Sequence, residues 1–234
     1  MTFPFVQNIF VSVTVTSITF AVVFLLNYLN KKQAITSEVS RKVVHIGAGT
    51  LFLAVRFYDD HGTNSKYFNV FPYTLWFFIL LWKSQYHSIG QNRYDLVVGT
   101  MTRSNRQSEL LYGPLFFNIV AILCGTVFYK TVLASLTIAM LTWGDGLAAV
   151  IGVQFGSQRQ IYRSKTFDGL MTFFLASVIA SIVYTAFIVD LQSIHLIKII
   201  VISFLTAIVE TLSPSDYDNL TIPLSIFLIY SFFY

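Results

Sequence analysis

The stretch VQNIFVSVTVTSITFAVVFLLNYL, from Val6 to Leu29, decides the fold class of this chain. A helix needs about 20 apolar residues to cross the hydrocarbon core of a bilayer, and this stretch is long enough. It is too long for the apolar part of a signal peptide, and it lacks a basic start and a small-residue cleavage site. We therefore predict a membrane helix that is retained in the protein.

The composition agrees with a membrane protein. Hydrophobic residues make up 55% of the 234 residues and charged residues only 11%, and the mean hydropathy is +0.67. A soluble globular domain carries about 25% charged residues, so the composition argues against that class. The net charge of +4 does not predict nucleic-acid binding, because no basic stripe with interleaved aromatic residues is present. The single cysteine, Cys124, provides neither a disulfide framework nor a metal site.

Further apolar runs predict an all-α fold, a polytopic bundle of helices in the membrane. The candidate spans are 6–29, 43–58, 69–82, 111–129, 131–153, 168–189, 195–212 and 219–234. The bundle then has about eight transmembrane helices, or seven if the short third run is re-entrant. We expect a short interfacial helix in the polar connection 83–110.

The basic residues predict the orientation of this bundle. Alternating spans place eleven of the fifteen Lys and Arg residues on one side: Lys31, Lys32, Arg41, Lys42, Lys83, Arg93, Arg103, Arg106, Arg159, Arg163 and Lys165. Such an excess marks the cytoplasmic side, so both termini lie on the opposite face. Acidic residues also gather near the cytoplasmic span ends, although membrane insertion does not require it. Their co-location indicates a site there.

The stretch TWGDGLAAVIGVQFG, residues 142–156, places Asp145 well inside an apolar segment. A lone carboxylate at such depth costs about 2.5–3.5 kcal/mol, so it usually has a partner, a cavity or a metal ion. Four glycines that would let a ligand approach the backbone accompany it: Gly144, Gly146, Gly152 and Gly156. The alternative is tight helix packing through small residues, with Asp145 hydrogen-bonded to a neighbouring helix. The third glycine of a dinucleotide fingerprint is missing.

The stretch RSKTFDG, residues 163–169, opens the sixth span with basic and hydroxyl side chains. A helix start offers unpaired amides and a partial positive charge, and Arg163, Lys165 and Thr166 add donors that suit a phosphate. Asp168 could ligate a metal ion or orient the lysine. The alternative is ordinary interfacial anchoring with a helix cap.

Two more stretches carry candidate site residues. In VETLSPSDYDNLTIPL, residues 209–224, Glu210 ends one span and Asp218 and Asn219 open the next. Carboxylates of Asp145 and Asp218 could hold Mg²⁺ between them if their spans are neighbours, because Mg²⁺ favours carboxylates and substrate phosphates. A helix cap at residues 218–219 is the alternative.

The stretch SRKVVHIGAG, residues 40–49, places Arg41, Lys42 and His45 on one helical face. Such a cluster could hold a phosphate or a lipid head group, and anchoring by the positive-inside rule is the alternative. Together the four stretches describe a polar pocket that faces the cytoplasm and opens sideways to lipid. This combination suits phosphoryl or nucleotidyl transfer on a membrane lipid.

The order of these motifs resembles the polyprenol kinase family, which includes phytol kinases, dolichol kinases and CTP-dependent diacylglycerol kinases. The residues that carry the resemblance are SRKVVHIGAG (40–49), ELLYGPLFF (109–117), GDGLAAVIGVQFGS (144–157), SKTFDG (164–169) and VETLSPSDYDNLTIPL (209–224). They occur in family order and cover most of the chain from residue 40 onward. ELLYGPL and GDGLA are most similar to the phytol kinase branch.

The resemblance implies one integral membrane kinase domain over 1–234, with a family-like core over 40–234. It implies phosphate transfer from CTP, or another nucleoside triphosphate, to a long-chain prenol, with Mg²⁺ on Asp145 and Asp218. The resemblance would place Lys165 and Asn219 at the nucleotide phosphates. Glu210 and His45 are both candidates for the general base. The further nucleotide-binding candidates are Gly144, Gly146, Gly152, Gly156, Arg163, Thr166, Arg41 and Lys42. Asp168 departs from the family pattern, so the resemblance assigns it no chemical role.

Two alternatives remain beside a CTP-dependent prenol kinase. The first is a CTP-dependent diacylglycerol kinase or a cytidylyltransferase that makes a CDP-lipid, which the lipid product would distinguish. The second is a cation-coupled membrane transporter that binds its ion at Asp145 and Glu210, for which inverted repeats are expected but not evident. The expected partners are a membrane lipid or prenol and a nucleotide, with no nucleic acid. The expected location is an integral, multi-pass membrane protein with its site facing the cytoplasm, or the stroma in a plastid or cyanobacterium. No oligomeric state is predicted.

Overall fold

The computed structural model describes residues 4–61, 64–85, 95–155, 160–163, 165–193, 195–214 and 217–233. The chain divides into two compact units, Met1–Val127 and Phe128–Tyr234. Almost all of the described secondary structure is helical, as predicted. The prediction of one domain over 1–234 stays a prediction.

Among its described residues, the first unit has five α-helices and two short helical segments of other kinds. The α-helices are α1 (Pro4–Lys31), α2 (Ser37–Leu51), α3 (Ser65–Gln85), α4 (Leu96–Met101) and α5 (Phe116–Thr126). A 3₁₀-helix (Phe52–Phe57) extends α2, and a π-helix (Leu111–Leu115) leads into α5. The core of this unit is formed where α1, α3 and α4 meet, around Val23, Trp76, Leu80, Val98 and Met101.

Capping residues set the start of two helices in the first unit. The Thr36 hydroxyl accepts a hydrogen bond from the amide of Val39, and the Asp95 carboxylate accepts bonds from the first amides of α4. Both side chains satisfy amides that a helix start leaves without a partner. The short helix expected in 83–110 is therefore present as α4. Five of its six residues are buried, and its place at the membrane interface stays a prediction.

In the part of the second unit that the structure describes there are five further α-helices and one small sheet. The α-helices are α6 (Val132–Ala139), α7 (Asp145–Phe155), α8 (Phe167–Ile188), α9 (Leu196–Leu212) and α10 (Asp218–Ser231). A π-helix (Met140–Gly144) joins α6 to α7. Helix α8 is central, because it packs against α6, α7, α9 and this π-helix.

The small sheet is a hairpin that the sequence did not predict. Strand β1 (Gln160–Tyr162) pairs antiparallel with β2 (Lys165–Thr166), and all three residues of β1 are exposed. Arg163 in the turn has φ of 50°, in the left-handed region. The hairpin leads directly into α8, whose N-cap is Thr166.

Three helical stretches of the described residues are long and apolar enough to cross a membrane: Pro4–Lys31, Val132–Gly152 and Phe167–Ile188. In the first of them only 22% of the most apolar window is buried, so most of its apolar side chains face outward. Outward apolar surface on long helices suits a lipid environment. All eight predicted segments coincide with helical stretches, but the count of eight spans stays a prediction.

Candidate active site

Asp145 is the first residue of α7, directly after the π-helix Met140–Gly144. A π-helix shifts the side chains that follow it relative to an uninterrupted α-helix, and such segments are frequent at functional sites. The segment packs closely on α8 at Gly144, where an added Cβ would lie 2.4 Å from Ser177 Oγ and 3.2 Å from the ring of Phe173. Gly144 therefore allows the close approach that places Asp145, which is only 4% exposed.

The other acidic residues come from the junction between α9 and α10. Glu210 lies in the last turn of α9, and Asp218 is the first residue of α10. Both are buried, with exposed fractions of 4% and 8%.

The three carboxylates converge. One oxygen from each of Asp145, Glu210 and Asp218 lies within 4.8 Å of the other two. We call these residues the acidic cluster. At this distance two full charges repel by about 3 kcal/mol if the effective dielectric constant is about 20. The three groups therefore need a nearby cation in order to stay ionised together.

Lys165 supplies one positive charge to the acidic cluster. Its ammonium group donates a hydrogen bond to Glu210 Oε1 and another, of 3.1 Å, to Asp218 Oδ2. Burial alone would lower the pKa of the Lys165 ammonium, but the charges of Glu210 and Asp218 outweigh burial and raise that pKa above its ordinary value. Lys165 therefore carries a positive charge. Its hydrogen bonds to Glu210 and Asp218 also show that the motif at 163–169 and the acidic motifs belong to one site.

The acidic cluster also fits a divalent metal ion. All three groups offer carboxylate oxygens, which are the ligands that Mg²⁺ prefers. Asp218 Oδ1 is buried and accepts no hydrogen bond from any residue that the structure describes. Burying a carboxylate oxygen without a hydrogen-bond donor destabilises the folded protein, and a bound cation would offset this destabilisation. With one lysine against three carboxylates the site has a charge of −2 when all four groups are ionised.

The remaining candidates of the second unit surround the acidic cluster or pack nearby helices. Asn219 follows Asp218 in the chain and is buried, and Gly146 is buried beside Asp145. Thr166 Oγ1 accepts a hydrogen bond of 3.1 Å from the amide of Gly169, so it caps α8. Gly152 packs against this cap, because an added Cβ would lie 3.2 Å from Thr166 Oγ1.

Three further residues of these motifs have other outcomes. The guanidinium of Arg163 lies 5.2 Å from the ring centroid of Tyr162, on the exposed part of the hairpin. Gly156 lies outside the described residues. Asp168 lies in the first turn of α8 and is not a member of the acidic cluster.

Arg41, Lys42 and His45 lie on α2, in the first unit. Lys42 and His45 are only 5% and 9% exposed, and the His45 ring packs edge-on against Phe117 at 4.8 Å. Their burial differs from that of a basic side chain that extends to the membrane surface as an anchor. Their assignment to the nucleotide or to the base stays a prediction.

The structure adds two residues that the sequence patterns did not single out for a role. Ser177 lies against Gly144 and thereby contacts the segment that carries Asp145. Glu109, in the ELLYGPLFF motif, accepts hydrogen bonds from the amide of Arg103, the hydroxyl of Ser104 and the side chain of Arg106. Glu109 therefore organises the loop before the π-helix of the first unit. No local pattern in the sequence indicates either contact.

Comparison with known proteins gives consistent relatives. The chain is 30% identical over 215 residues to a phytol kinase from Synechocystis, and the match covers 89% of this chain and 85% of that protein. It is 29% identical over 221 residues to phytol kinase 1, chloroplastic, from Arabidopsis thaliana, covering 89% of this chain and 71% of the relative. A probable phytol kinase from Triticum aestivum is 26% identical over 226 residues, covering 92% and 74%. No protein-family model and no solved structure matches the chain.

Proposed function

This chain belongs to the phytol kinase family, and on that premise we propose that it transfers the terminal phosphate of a nucleoside triphosphate to phytol or a similar long-chain prenol. The observation that carries the proposal is the buried acidic cluster with Lys165 at its centre. Phosphoryl transfer depends mainly on positioning and on charge stabilisation, and this cluster offers groups for both.

We assign the acidic residues Asp145 and Asp218 to a bound Mg²⁺ and Lys165 and Asn219 to the phosphates of CTP. When bound, the metal ion would neutralise negative charge on the triphosphate. The start of α8 adds its amides and the positive end of its dipole next to Lys165, which favours phosphate oxygens there. The preference for CTP over other nucleotides rests on the family resemblance alone.

In the proposed reaction the prenol oxygen attacks the γ-phosphorus in line. The bond from this phosphorus to the oxygen bridging the β- and γ-phosphates breaks, and the nucleoside diphosphate leaves with that oxygen. The hydroxyl proton of the prenol must pass to a base. We assign this role to Glu210 rather than His45. Glu210 belongs to the acidic cluster, and it is the one member that is not assigned to the metal ion.

The acceptor reaches the site from the membrane. We propose eight spans with the acidic cluster facing the cytoplasm or stroma, where nucleotides are present. The long outward-facing apolar surfaces of Pro4–Lys31 and Phe167–Ile188 support a lipid environment around both units. A prenol has a membrane-soluble tail, so it can approach laterally while the nucleotide arrives from water.

A direct assay tests the proposal. The purified full-length protein in detergent would be incubated with Mg²⁺ and γ-labelled CTP, ATP, GTP or UTP, each with phytol, geranylgeraniol, dolichol or diacylglycerol. We expect labelled phytyl monophosphate with CTP, and none when a chelator removes Mg²⁺. Label that is transferred only from α-labelled CTP would identify a cytidylyltransferase and contradict the proposal. Absence of any labelled lipid with every donor and acceptor would also contradict it and favour a transporter.

A further inference from the structure

The ammonium of Lys165 already uses a carboxylate that the proposed function assigns to the metal ion. It donates to Asp218 Oδ2 at 3.1 Å and at the same time to Glu210. The other oxygen of Asp218, Oδ1, is buried and accepts no hydrogen bond from the described residues. Asp218 therefore has one oxygen neutralised by a side chain of the protein itself and a second oxygen that still needs a donor or a cation.

The positive charge of Lys165 reduces the repulsion among the three carboxylates. Without Lys165 the acidic cluster would consist of three mutually close carboxylates, all on buried residues. Like charges at that distance destabilise the folded protein unless a cation is present. In the absence of metal, Lys165 lowers the electrostatic repulsion among the carboxylates. A divalent cation would lower this repulsion further, because its charge is larger.

The acidic residues and Lys165 stand on different kinds of element. The carboxylates stand on the helices α7, α9 and α10, whereas Lys165 stands on the two-residue strand β2, whose partner strand β1 is exposed. Its side chain is 18% exposed, which is more than that of either acidic partner. A lysine side chain has four rotatable bonds, so its ammonium can leave Asp218 without movement of a helix.

We propose that Lys165 is a built-in counter-ion that occupies the cation site of the acidic cluster and leaves Asp218 when a divalent metal ion binds with the nucleotide. The inference rests on the proposed function and extends it. The released ammonium then lies beside the start of α8, where the phosphates are expected. The exchange links binding of the metal ion to binding of the nucleotide, because the charge that leaves the carboxylates is attracted by the phosphates.

The test measures stability rather than activity. Thermal unfolding of the full-length protein in detergent would be followed in Mg²⁺ titrations without nucleotide, for the unchanged protein, Lys165→Met and Lys198→Met. Lys198 is a matched control, because it lies on α9 in the same unit and donates to the carbonyl of Phe233 at 3.2 Å. We expect Lys165→Met to unfold at a lower temperature without metal. We also expect its half-maximal Mg²⁺ stabilisation at a concentration about tenfold lower than for the unchanged protein.

Other outcomes overturn the inference. If Lys165→Met unfolds at the same temperature as the unchanged protein and responds to Mg²⁺ no better, the lysine does not occupy the cation site. If Lys198→Met gives the same pattern, the effect is a general one of charge. If Lys165→Met cannot be purified without metal, the double variant Lys165→Met with Asp218→Asn decides. The inference then requires that removal of one carboxylate restores a folded metal-free protein.

The inference and the proposed function fail separately. The expected Mg²⁺ pattern without phosphate transfer to any acceptor would leave the exchange of Lys165 and metal intact and reject the kinase. Labelled prenyl phosphate without the Mg²⁺ pattern would keep the kinase and reject the exchange.

Discussion

Lys165 Nζ lies 3.1 Å from Asp218 Oδ2, although 53 residues separate the two in the chain. The contact joins the hairpin before α8 to the first residue of α10. It also brings a basic motif and an acidic motif into one buried group with Asp145 and Glu210. A lysine and carboxylates that meet in this way form a site with strongly coupled charges, and its members should respond to substitution as a set.

Asp145→Asn should lower the turnover number for prenol phosphorylation by about a hundredfold or more. The substitution removes one carboxylate that the proposal assigns to the metal ion and leaves the shape of the side chain nearly unchanged. The assay is the γ-label transfer at saturating nucleotide and prenol. Asp168→Asn is the matched control, because Asp168 lies in the same unit and outside the acidic cluster, and it should remain within a few-fold of the unchanged protein. Nearly full activity of Asp145→Asn would instead indicate a hydrogen bond between helices.

Asp145→Asn and Asp218→Asn should not be additive in their effects on turnover. One metal ion serves both carboxylates in the proposed mechanism, so the second substitution removes little that the first has left. The double variant should be no more than about tenfold slower than the slower single variant. A double variant whose loss equals the product of the two single losses would show that the carboxylates act independently.

Gly144→Ala should destabilise the second unit and reduce activity, because its new methyl group would overlap Ser177 Oγ at 2.4 Å. Overpacking of this kind costs about 1–3 kcal/mol. Adding Ser177→Ala removes the overlapping oxygen and should recover most of the loss, with a remainder from the contact to Phe173. Thermal unfolding of the single and double variants measures this recovery.

Gly47→Ala is the control for the loss at Gly144. It lies within α2, and nothing is within 4 Å of its added Cβ. The substitution should be neutral or should stabilise the protein by up to about 1 kcal/mol through helix propensity. If Ser177→Ala fails to improve Gly144→Ala, the close approach of the π-helix and α8 is not what requires glycine at this position.

The sequence predicts the helices well, because long apolar runs and their polar interruptions are local patterns. The acidic site residues can also be predicted from local sequence, because a carboxylate inside or next to an apolar run is unusual. The π-helix before Asp145 could not be predicted, because no local pattern shows that its last residue, Gly144, packs against Ser177, which is distant in sequence. The hairpin was missed because the residues of β1 are all exposed and show no alternation.

The carboxylate partners of Lys165 could not be predicted from the sequence, and its role at a phosphate stays a prediction. The motif at 163–169 predicts a lysine that faces phosphate, whereas the structure places its ammonium on the carboxylates of Glu210 and Asp218. Both roles follow from the same positive charge, and only the tertiary placement of α9 and α10 decides which anion lies nearest.

Thr206→Val and Thr211→Val should have different effects on stability, although both residues are buried on α9. Thr211 Oγ1 donates to the carbonyl of Ala207 at 2.9 Å, whereas Thr206 Oγ1 is buried and has no hydrogen-bond partner among the described residues. Thr211→Val should cost about 0.5–1 kcal/mol, and Thr206→Val should be neutral or stabilising. Unfolding in detergent measures both. An equal loss of unfolding free energy at the two positions would mean that the Thr206 hydroxyl makes a hydrogen bond when the protein is in a membrane or detergent.

Single cysteines at Arg163 and Gln192 should be labelled from opposite sides of the membrane. Both residues are exposed, and the 22 residues of α8, the long apolar helix Phe167–Ile188, lie between them. Such a length is enough to cross the hydrocarbon core. The measurement uses a membrane-impermeant thiol reagent on sealed vesicles of each orientation, in a Cys124→Ser background. We expect Arg163→Cys to react from the cytoplasmic or stromal side, together with the excess of Lys and Arg. Labelling of both cysteines from one side would remove the predicted crossing by α8. Labelling of Arg163→Cys only from the far side would reverse the orientation and separate the acidic cluster from the nucleotide supply.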